Sequence, residues 1–329
     1  MKLFFQVLLP GLLLLLMGHT TRAQVVRVTN GQSLSALIAS ATAGTTFIVE
    51  PGSYGDLTLT KRVAIIGPGY FLGSSQQATT GSATFGRVSF KAGSENSILM
   101  SCAVNDYIYV GASQVTVSRC LAGNIRVGYD GANDVNVSNV IVKQCFVQNS
   151  IYAYSNGTVA CSIRSNIVRT GIQCSYNFQG EVINNTTVGY DSPPTSYGLY
   201  FPSLSPTAYV IAKNNITTYA QHVTQNTNLI YNIVYYNQSG LPTSNLVNKP
   251  IATIFVGNNA TSLEGQYMLS ANSPAKGAGE GGVDCGAFGG DEPYIIGGVP
   301  SGPIIQELTV PQVTSGSTIN VRVKARVQN

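Results

Sequence analysis

The sequence predicts an all-β fold, a right-handed parallel β-helix (solenoid) with a short N-terminal capping helix and a C-terminal β tail. Two observations lead to this prediction. A short motif recurs at the spacing of one solenoid coil, and a strand with period-two alternation follows most copies of it. The composition agrees, because only 10% of the 329 residues are charged and amphipathic helices need charged or polar faces.

Seven hexapeptides carry the repeat, and each ends in Cys or Asn with an apolar residue three positions earlier. A solenoid coil needs roughly twenty residues, whereas a βαβ unit needs about thirty with a helix inside it. We therefore expect the seven ends to stack at one corner, about 4.8 Å apart, with their side chains bonding along the axis. These ends are Cys102, Cys120, Cys145, Asn166, Asn185, Asn215 and Asn232. Asn at these positions also suits the left-handed backbone that such corners need.

The strand that follows each corner predicts an exposed row. Its inward residues are apolar, and one outward residue lies between each inward pair, as a strand with one buried face requires. If the register is as predicted, the outward residues align along the solenoid. They are Tyr109, Arg126, Tyr152, Gln173 and Tyr200.

The domain organisation follows from the two ends of the chain. A positive start, an apolar run and small residues before Gln24 indicate a secretory signal peptide, so we expect a secreted protein, extracellular or at the cell surface. After its removal no segment is long and apolar enough to span a bilayer. The predicted units are the signal peptide (1–23), the N-terminal cap with a helix at 33–41 (24–46), the β-helix (47–297) and a linker with a β tail (298–329).

Several classes of partner are disfavoured. A formal net charge of +4 is small for a nucleic-acid-binding protein. The six cysteines form no C-x-x-C pair and only one His follows the signal peptide, so a zinc site is not expected. No cofactor is predicted, with Ca²⁺ as the alternative. We interpret the cysteines as buried thiols at stacked positions, with a disulfide between neighbouring coils, such as Cys102 with Cys120, as the alternative.

The segments IVEPGSYGDLTLTKRVAIIGPG (residues 48–69) and SANSPAKGAGEGGVDCGAFGG (residues 270–290) resemble segments of exported bacterial right-handed β-helix proteins of the pectin-lyase-like superfamily. Residues 48–69 are similar to their opening coil, and residues 270–290 are similar to a closing motif, S-P-A-x-x-A-G followed by D-x-G-A-F or D-x-G-A-Y. The resemblance implies the fold and export, and some members are polysaccharide lyases, hydrolases or pectin esterases. The matching residues of the closing motif are Ser273, Pro274, Ala275, Gly279, Asp284, Gly286, Ala287 and Phe288.

No catalytic residue is predicted. Lyases of this kind need Ca²⁺ held by clustered carboxylates and a basic residue that takes a proton. The nearest calcium candidate is Asp130 with Asp134, for which a polar corner loop is the competing interpretation. The adjacent pair Asp291 and Glu292 is interpreted as structural, and the single His222 as a surface or turn residue.

The sequence therefore favours a non-catalytic extracellular scaffold that binds a polysaccharide or cell-surface glycan, or that serves as a surface or adhesion module. Tyrosine rings stack on sugar rings while polar side chains bond the hydroxyls, so the predicted row is the candidate site. Tyrosine also simply suits strands. The alternatives are a polysaccharide lyase or glycoside hydrolase of the superfamily, and a purely structural surface protein. The sequence predicts no oligomeric state.

Overall fold

The computed structural model of the protein describes residues 24–72, 81–189, 198–201, 204–217, 220–222, 227–236, 239–309 and 321–328. The predicted signal peptide lies outside these residues. Consecutive coils of parallel strands build three faces, which confirms the predicted right-handed parallel β-helix. Among the described residues, no helix has the length and apolar character needed to cross a membrane.

The first face is a sheet of ten parallel strands. Each strand comes from a different coil and pairs with the strand of the next coil in register. Strands are numbered in chain order, and those of this face are β1 (Val25–Val28), β2 (Thr45–Val49), β5 (Val63–Ile66), β8 (Ile98–Met100), β10 (Thr116–Ser118), β12 (Val137–Lys143), β15 (Val159–Arg164), β18 (Phe178–Ile183), β21 (Tyr209–Lys213) and β24 (Thr227–Ile230).

The second and third faces share fifteen strands, because β9 (Ala103–Val110) and β11 (Leu121–Val127) run across both. The other strands of the second face are β3 (Gly52–Ser53), β6 (Ala83–Phe85), β13 (Phe146–Val147), β16 (Ile167–Val168), β19 (Thr186–Thr187), β22 (Ile216–Thr217) and β25 (Ile233–Val234). Those of the third face are β4 (Leu57–Leu59), β7 (Val88–Phe90), β14 (Ser150–Ala153), β17 (Gly171–Cys174), β20 (Leu199–Phe201) and β23 (Ala220–His222).

The second face was not resolved by the sequence analysis. From β13 onward its strands are only two residues long, which is too short for an alternation pattern to be visible. The strand predicted to follow each corner is the strand of the third face, and the short strand lies between that strand and the corner.

The core lies inside the coils and consists of apolar columns. On the first face the predicted inward residues pair directly from coil to coil, and each is at most 1% exposed. Stacking similar side chains at the strand spacing buries them without a helix layer. This column is Leu99, Val117, Val142, Ile163, Val182, Ala212 and Leu229.

The predicted Cys/Asn corner forms a hydrogen-bonded ladder. The side chain of Asn166 donates to Oδ1 of Asn185 (2.9 Å), and the same contact recurs from Asn185 to Asn215 (3.0 Å) and from Asn215 to Asn232 (2.8 Å). Asn245 extends the ladder by one rung, accepting from Asn232 at 3.0 Å. The sequence analysis missed Asn245 because no strand motif precedes it.

The cysteine rungs use a different bond. All six cysteines are free and buried, so the alternative disulfide between Cys102 and Cys120 is wrong for this structure. Instead, the Cys120 thiol donates to the carbonyl oxygen of Ser118 at 3.3 Å, and the Cys145 thiol donates to that of Lys143, also at 3.3 Å. Thiols are weak donors, so these rungs depend more on packing than the Asn rungs do.

The left-handed backbone of the corner belongs to the residue before each ladder position. We predicted that the ladder Asn would adopt it, whereas the structure gives φ values of 52° to 60° to the preceding residue. This conformation turns the preceding side chain away from the ladder. The residues are Ser101, Arg119, Gln144, Ser165, Asn184, Asn214 and Tyr231.

The N-terminal cap contains α1 (Leu34–Ser40), whose first turn is capped by Ser33, with Ser33 Oγ accepting from the Ala36 N–H at 3.3 Å. Leu34 and Ile38 are buried against the first coil, so the predicted capping helix is confirmed. The helix sits between β1 and β2, and β1 adds one more rung to the first face.

The chain after the coils returns along the solenoid. It contains α2 (Ile251–Ile254) and short 3₁₀ helices at Gly257–Asn259, Gly265–Tyr267, Glu280–Gly282 and Ile296–Gly298. Residues 280–301, here called the strap, lie against the corner. Four of the residues with a left-handed backbone bond the strap through their side chains. Asn214 accepts from Glu280 N–H, and Asn184 donates to Asp284 O. Gln144 donates to Pro293 O, and Arg119 donates to Val299 O.

The range predicted as β-helix, 47–297, therefore has two parts. The first consists of the coils, whose last described strand is β25, and the second is the segment that runs back along them. The tail beyond it contains an antiparallel hairpin of β26 (Gly302–Thr309) and β27 (Arg322–Gln328), so the β tail is confirmed as a separate two-stranded sheet.

Candidate functional site

The predicted row lies on the outer side of the third face. Strand pairing aligns Tyr109 with Arg126, Arg126 with Tyr152, Tyr152 with Gln173, and Gln173 with Tyr200. The five side chains are half-buried, whereas the inward residues beside them are buried. Four steps of about 4.8 Å make this aromatic row about 19 Å long.

Further tyrosines flank the row. The ring of Tyr107 stacks on that of Tyr109 with centroids 4.9 Å apart, and Tyr129 meets Tyr109 edge-on at 5.1 Å. Burial among these rings raises the pKa of Tyr109 above its ordinary value. Tyr107 lies two residues before Tyr109 in an ordinary strand alternation, and it was overlooked because only one outward position per coil was considered.

Arg126, the second residue of the row, is held by three neighbouring side chains. Its guanidinium lies 3.8 Å from the ring centroid of Tyr129 and 5.9 Å from that of Tyr154, which is 50% exposed. Its Nη2 also donates to Asp134 Oδ1 at 2.9 Å. A guanidinium held by a carboxylate and a ring face is fixed in direction, so the row has a rigid polar group at its second position.

The calcium candidates Asp130 and Asp134 have separate partners in the loop after β11. Oδ1 of Asp130 accepts the backbone N–H groups of Ala132 (2.8 Å) and Asn133 (2.7 Å). These bonds, led by the one from Asn133, lower the pKa of Asp130. Asp134 pairs with Arg126. Within the described part of the chain, no cluster of three or more His, Cys, Asp or Glu side chains is placed to hold a metal ion.

A polar depression adjoins the N-terminal end of the row. Its volume is about 200 Å³, and Arg87, Ser89, Lys91 and Asp130 lie around it. Ser89 continues the row, since it pairs with Tyr109 in register. Arg87 is held by Asp106 at 2.6 Å, so charged side chains lie at this end of the row.

A second site that the sequence analysis missed lies between the strap and the first face. On four consecutive coils one outward column consists of Lys143, Arg164, Ile183 and Lys213, so three of its four residues are basic. Lys143 Nζ bonds Glu292 at 2.5 Å, Arg164 bonds Glu292 at 3.2 Å, and Lys213 pairs with Glu280. A cleft lined by Arg164, Lys213, Glu280 and Glu292 has a volume of about 340 Å³, and we call it the strap cleft.

The ion pairs of the strap cleft fix its charge state. The hydrogen bond from Lys143 and the charge of Arg164 hold the pKa of Glu292 below its ordinary value, so Glu292 is a weak base. Asp291, the neighbour of Glu292, is exposed and lines the cleft. The sequence analysis interpreted both acids as structural. The sequence signal that could have indicated the cleft was a basic residue at the same outward position of several repeats.

His222 ends β23, where its backbone pairs with Phe201. Its side chain lies outside the described part of the structure, so its predicted role as a surface or turn residue stays a prediction.

No protein-family model matches the chain, and no curated protein sequence matches it. Among solved structures, it is similar to pectate lyase Pel9A with a TM-score of 0.39 and 13% sequence identity, over 83% of this chain and 97% of that chain. The fold assignment rests on the strand pairing described above.

Proposed function

We propose that the protein is an extracellular glycan-binding β-helix whose aromatic row holds the sugar chain. The observation that carries the proposal is the in-register alignment of Tyr109, Arg126, Tyr152, Gln173 and Tyr200 along one outer face. A rigid solenoid presents these side chains at a constant spacing, which suits an extended polymer with its own repeat.

The chemistry of the row supports carbohydrate over other ligands. Tyrosine offers an apolar ring face and a polar hydroxyl on the same side chain, and it loses little conformational entropy on binding. Arg126 is already paired with Asp134, so the row adds no free charge for an acidic polymer. A neutral polysaccharide is therefore the favoured ligand class.

The test is binding of the full chain to a glycan array, followed by calorimetry with the best ligand. Replacing Tyr109, Tyr152 and Tyr200 together by Ala should weaken binding at least about 30-fold, because truncating central aromatic contacts typically costs 2 kcal/mol or more. The matched Tyr→Phe triple variant keeps the rings and should lose only the hydroxyl contribution.

Tyr176→Ala provides the surface control, because Tyr176 is 52% exposed and is not in the row. Unchanged binding by the Tyr→Ala triple variant, with the fold verified by circular dichroism, would remove the row from the proposal. Absence of binding to any glycan would favour the purely structural alternative.

A second candidate function is a polysaccharide lyase or glycoside hydrolase acting in the strap cleft. The observation in its favour is Arg164, which lies between two carboxylates, Glu181 at 3.3 Å and Glu292 at 3.2 Å. A screen for unsaturated or reducing sugar, with and without Ca²⁺, tests it. Product that disappears in Arg164→Lys would support the enzyme, and no product from a broad set of polysaccharides would count against it.

A further inference from the structure

A groove on the outer side of the first face is separate from the aromatic row. Its volume is about 360 Å³, within the usual range of small-molecule sites. One outward column of the groove runs in register through Ile141, Ser162, Glu181 and Ile211, so its two ends are apolar and its middle is polar. Tyr209 lies beside Ile211 and widens the apolar end. Tyr209 is 49% exposed and Ile211 36% exposed, so an apolar surface that a sugar ring could cover is open to solvent.

The polar centre of this sheet groove is held in place before any ligand arrives. Ser162 donates to Glu181 Oε1 at 2.6 Å, and Arg164 Nε donates to Ser162 Oγ at 2.9 Å. Arg164 is further fixed by Glu181 and Glu292. Preorganised polar groups beside an apolar surface lower the ordering cost of binding.

The groove continues into the strap cleft, because Arg164 and Glu181 line both. Together they cross the four strands β12, β15, β18 and β21, a span of about 14 Å at the strand spacing of about 4.8 Å. This length fits a short oligosaccharide rather than a single sugar.

The charges indicate which oligosaccharide fits. Four carboxylates line the two compartments, those of Glu181, Glu280, Asp291 and Glu292. The basic side chains that face them are Arg164 and Lys213 in the lining and Lys143, which bonds Glu292 from outside it. Each basic group already holds a glutamate, so a uronate carboxylate would have to displace one. Asp291 is exposed and available to a cation.

We propose that the sheet groove and strap cleft form a second oligosaccharide site that takes a chain of amino sugars with protonated amines. Tyr209 and Ile211 stack a sugar ring, the Ser162–Glu181–Arg164 group bonds hydroxyls, and Asp291 pairs with an amine. The site shares no residue with the aromatic row and does not depend on the row binding anything.

The test is calorimetric titration of the full chain with three oligomers of equal length: glucosamine, N-acetylglucosamine and galacturonate. The pH is kept where the glucosamine amines are protonated. The glucosamine oligomer should bind at least about tenfold more tightly than its N-acetylated counterpart, and the galacturonate oligomer should not bind. Equal affinity for the acetylated oligomer, or tighter binding of galacturonate, would overturn the ligand class.

Three variants locate the site. Tyr209→Ala should reduce affinity at least about tenfold. Asp291→Asn should reduce it several-fold and lower its salt dependence, and we expect this variant to fold because Asp291 is exposed. The Tyr109, Tyr152 and Tyr200 triple Ala variant should bind the glucosamine oligomer like the wild type. Loss of that binding in the triple variant, or full binding in both groove variants, would show that the sheet groove is not the site.

Discussion

Asn185 is bonded from both sides along the solenoid axis: it accepts from the side chain of Asn166 and donates to Oδ1 of Asn215. Its amide nitrogen also donates to Ile163 O at 2.9 Å and Ile183 O at 3.1 Å. A fully buried Asn that hydrogen-bonds to both neighbouring coils makes the corner a continuous structural element.

We expect Asn185→Ala to lower the free energy of unfolding by about 2–4 kcal/mol, because the N–H of Asn166 and the carbonyl of Ile163 would lose buried partners. Chemical denaturation measures the change. The control is Asn149→Ala, since Asn149 is exposed and its substitution should stay within about 0.5 kcal/mol. Equal midpoints for the two variants would show that the ladder adds no stability.

The cysteines should behave as buried thiols. Burial raises the pKa of the Cys285 thiol to about 12 and that of Cys161 still further, so little reactive thiolate forms near neutral pH. We expect a thiol reagent to label none of the six cysteines in the native protein within the time in which it labels all six after denaturation.

A reducing agent should leave the melting temperature unchanged, because no disulfide links the coils. A shift of the melting temperature on reduction, or fewer than six thiols in the denatured protein, would contradict this assignment.

Sequence periodicity was enough for the fold, the ladder and the register of the aromatic row, because each depends on local alternation repeated at one coil length. It was not enough for the strap cleft. The contact of Lys143 with Glu292 joins residues 149 positions apart, and no repeat places the strap beside the first face. The left-handed residue was misplaced by one position for a related reason, since both Asn184 and Asn185 fit a corner by type and only their bonds distinguish them.

Glu292 should make the strap sensitive to acid. Its folded pKa is lowered by Lys143 and Arg164, so its contribution is present above the ordinary pKa of a glutamate and is lost as the pH falls through the folded value. We expect Glu292→Gln to lower stability near neutral pH by about 1 kcal/mol or less, since the pair is partly exposed.

The variant should also lose less stability than the wild type on acidification. Thermal melts between neutral and acidic pH measure both effects. Asp291→Asn is the matched control, because Asp291 is the neighbouring carboxylate and forms no ion pair among the described residues. Parallel pH profiles for the wild type and Glu292→Gln would contradict the assignment.

Glu264 should show the opposite dependence. Its carboxylate is fully buried and accepts from the hydroxyl of Tyr294 at 2.5 Å and the N–H of Gly297 at 2.9 Å, and Tyr294 in turn contacts the buried Tyr70 at 2.6 Å. Desolvation outweighs these bonds and raises the pKa of Glu264.

For an acid with a raised folded pKa, the unfolded chain ionises first as the pH rises, so stability falls between the ordinary glutamate value and the folded value. Glu264→Gln keeps an acceptor for Gly297 and cannot ionise. We therefore expect the stability deficit of Glu264→Gln, measured by denaturation at several pH values, to be larger at pH 4 than at pH 7. A deficit that grows with rising pH would show that the bonds from Tyr294 and Gly297 stabilise the charged carboxylate more than burial penalises it.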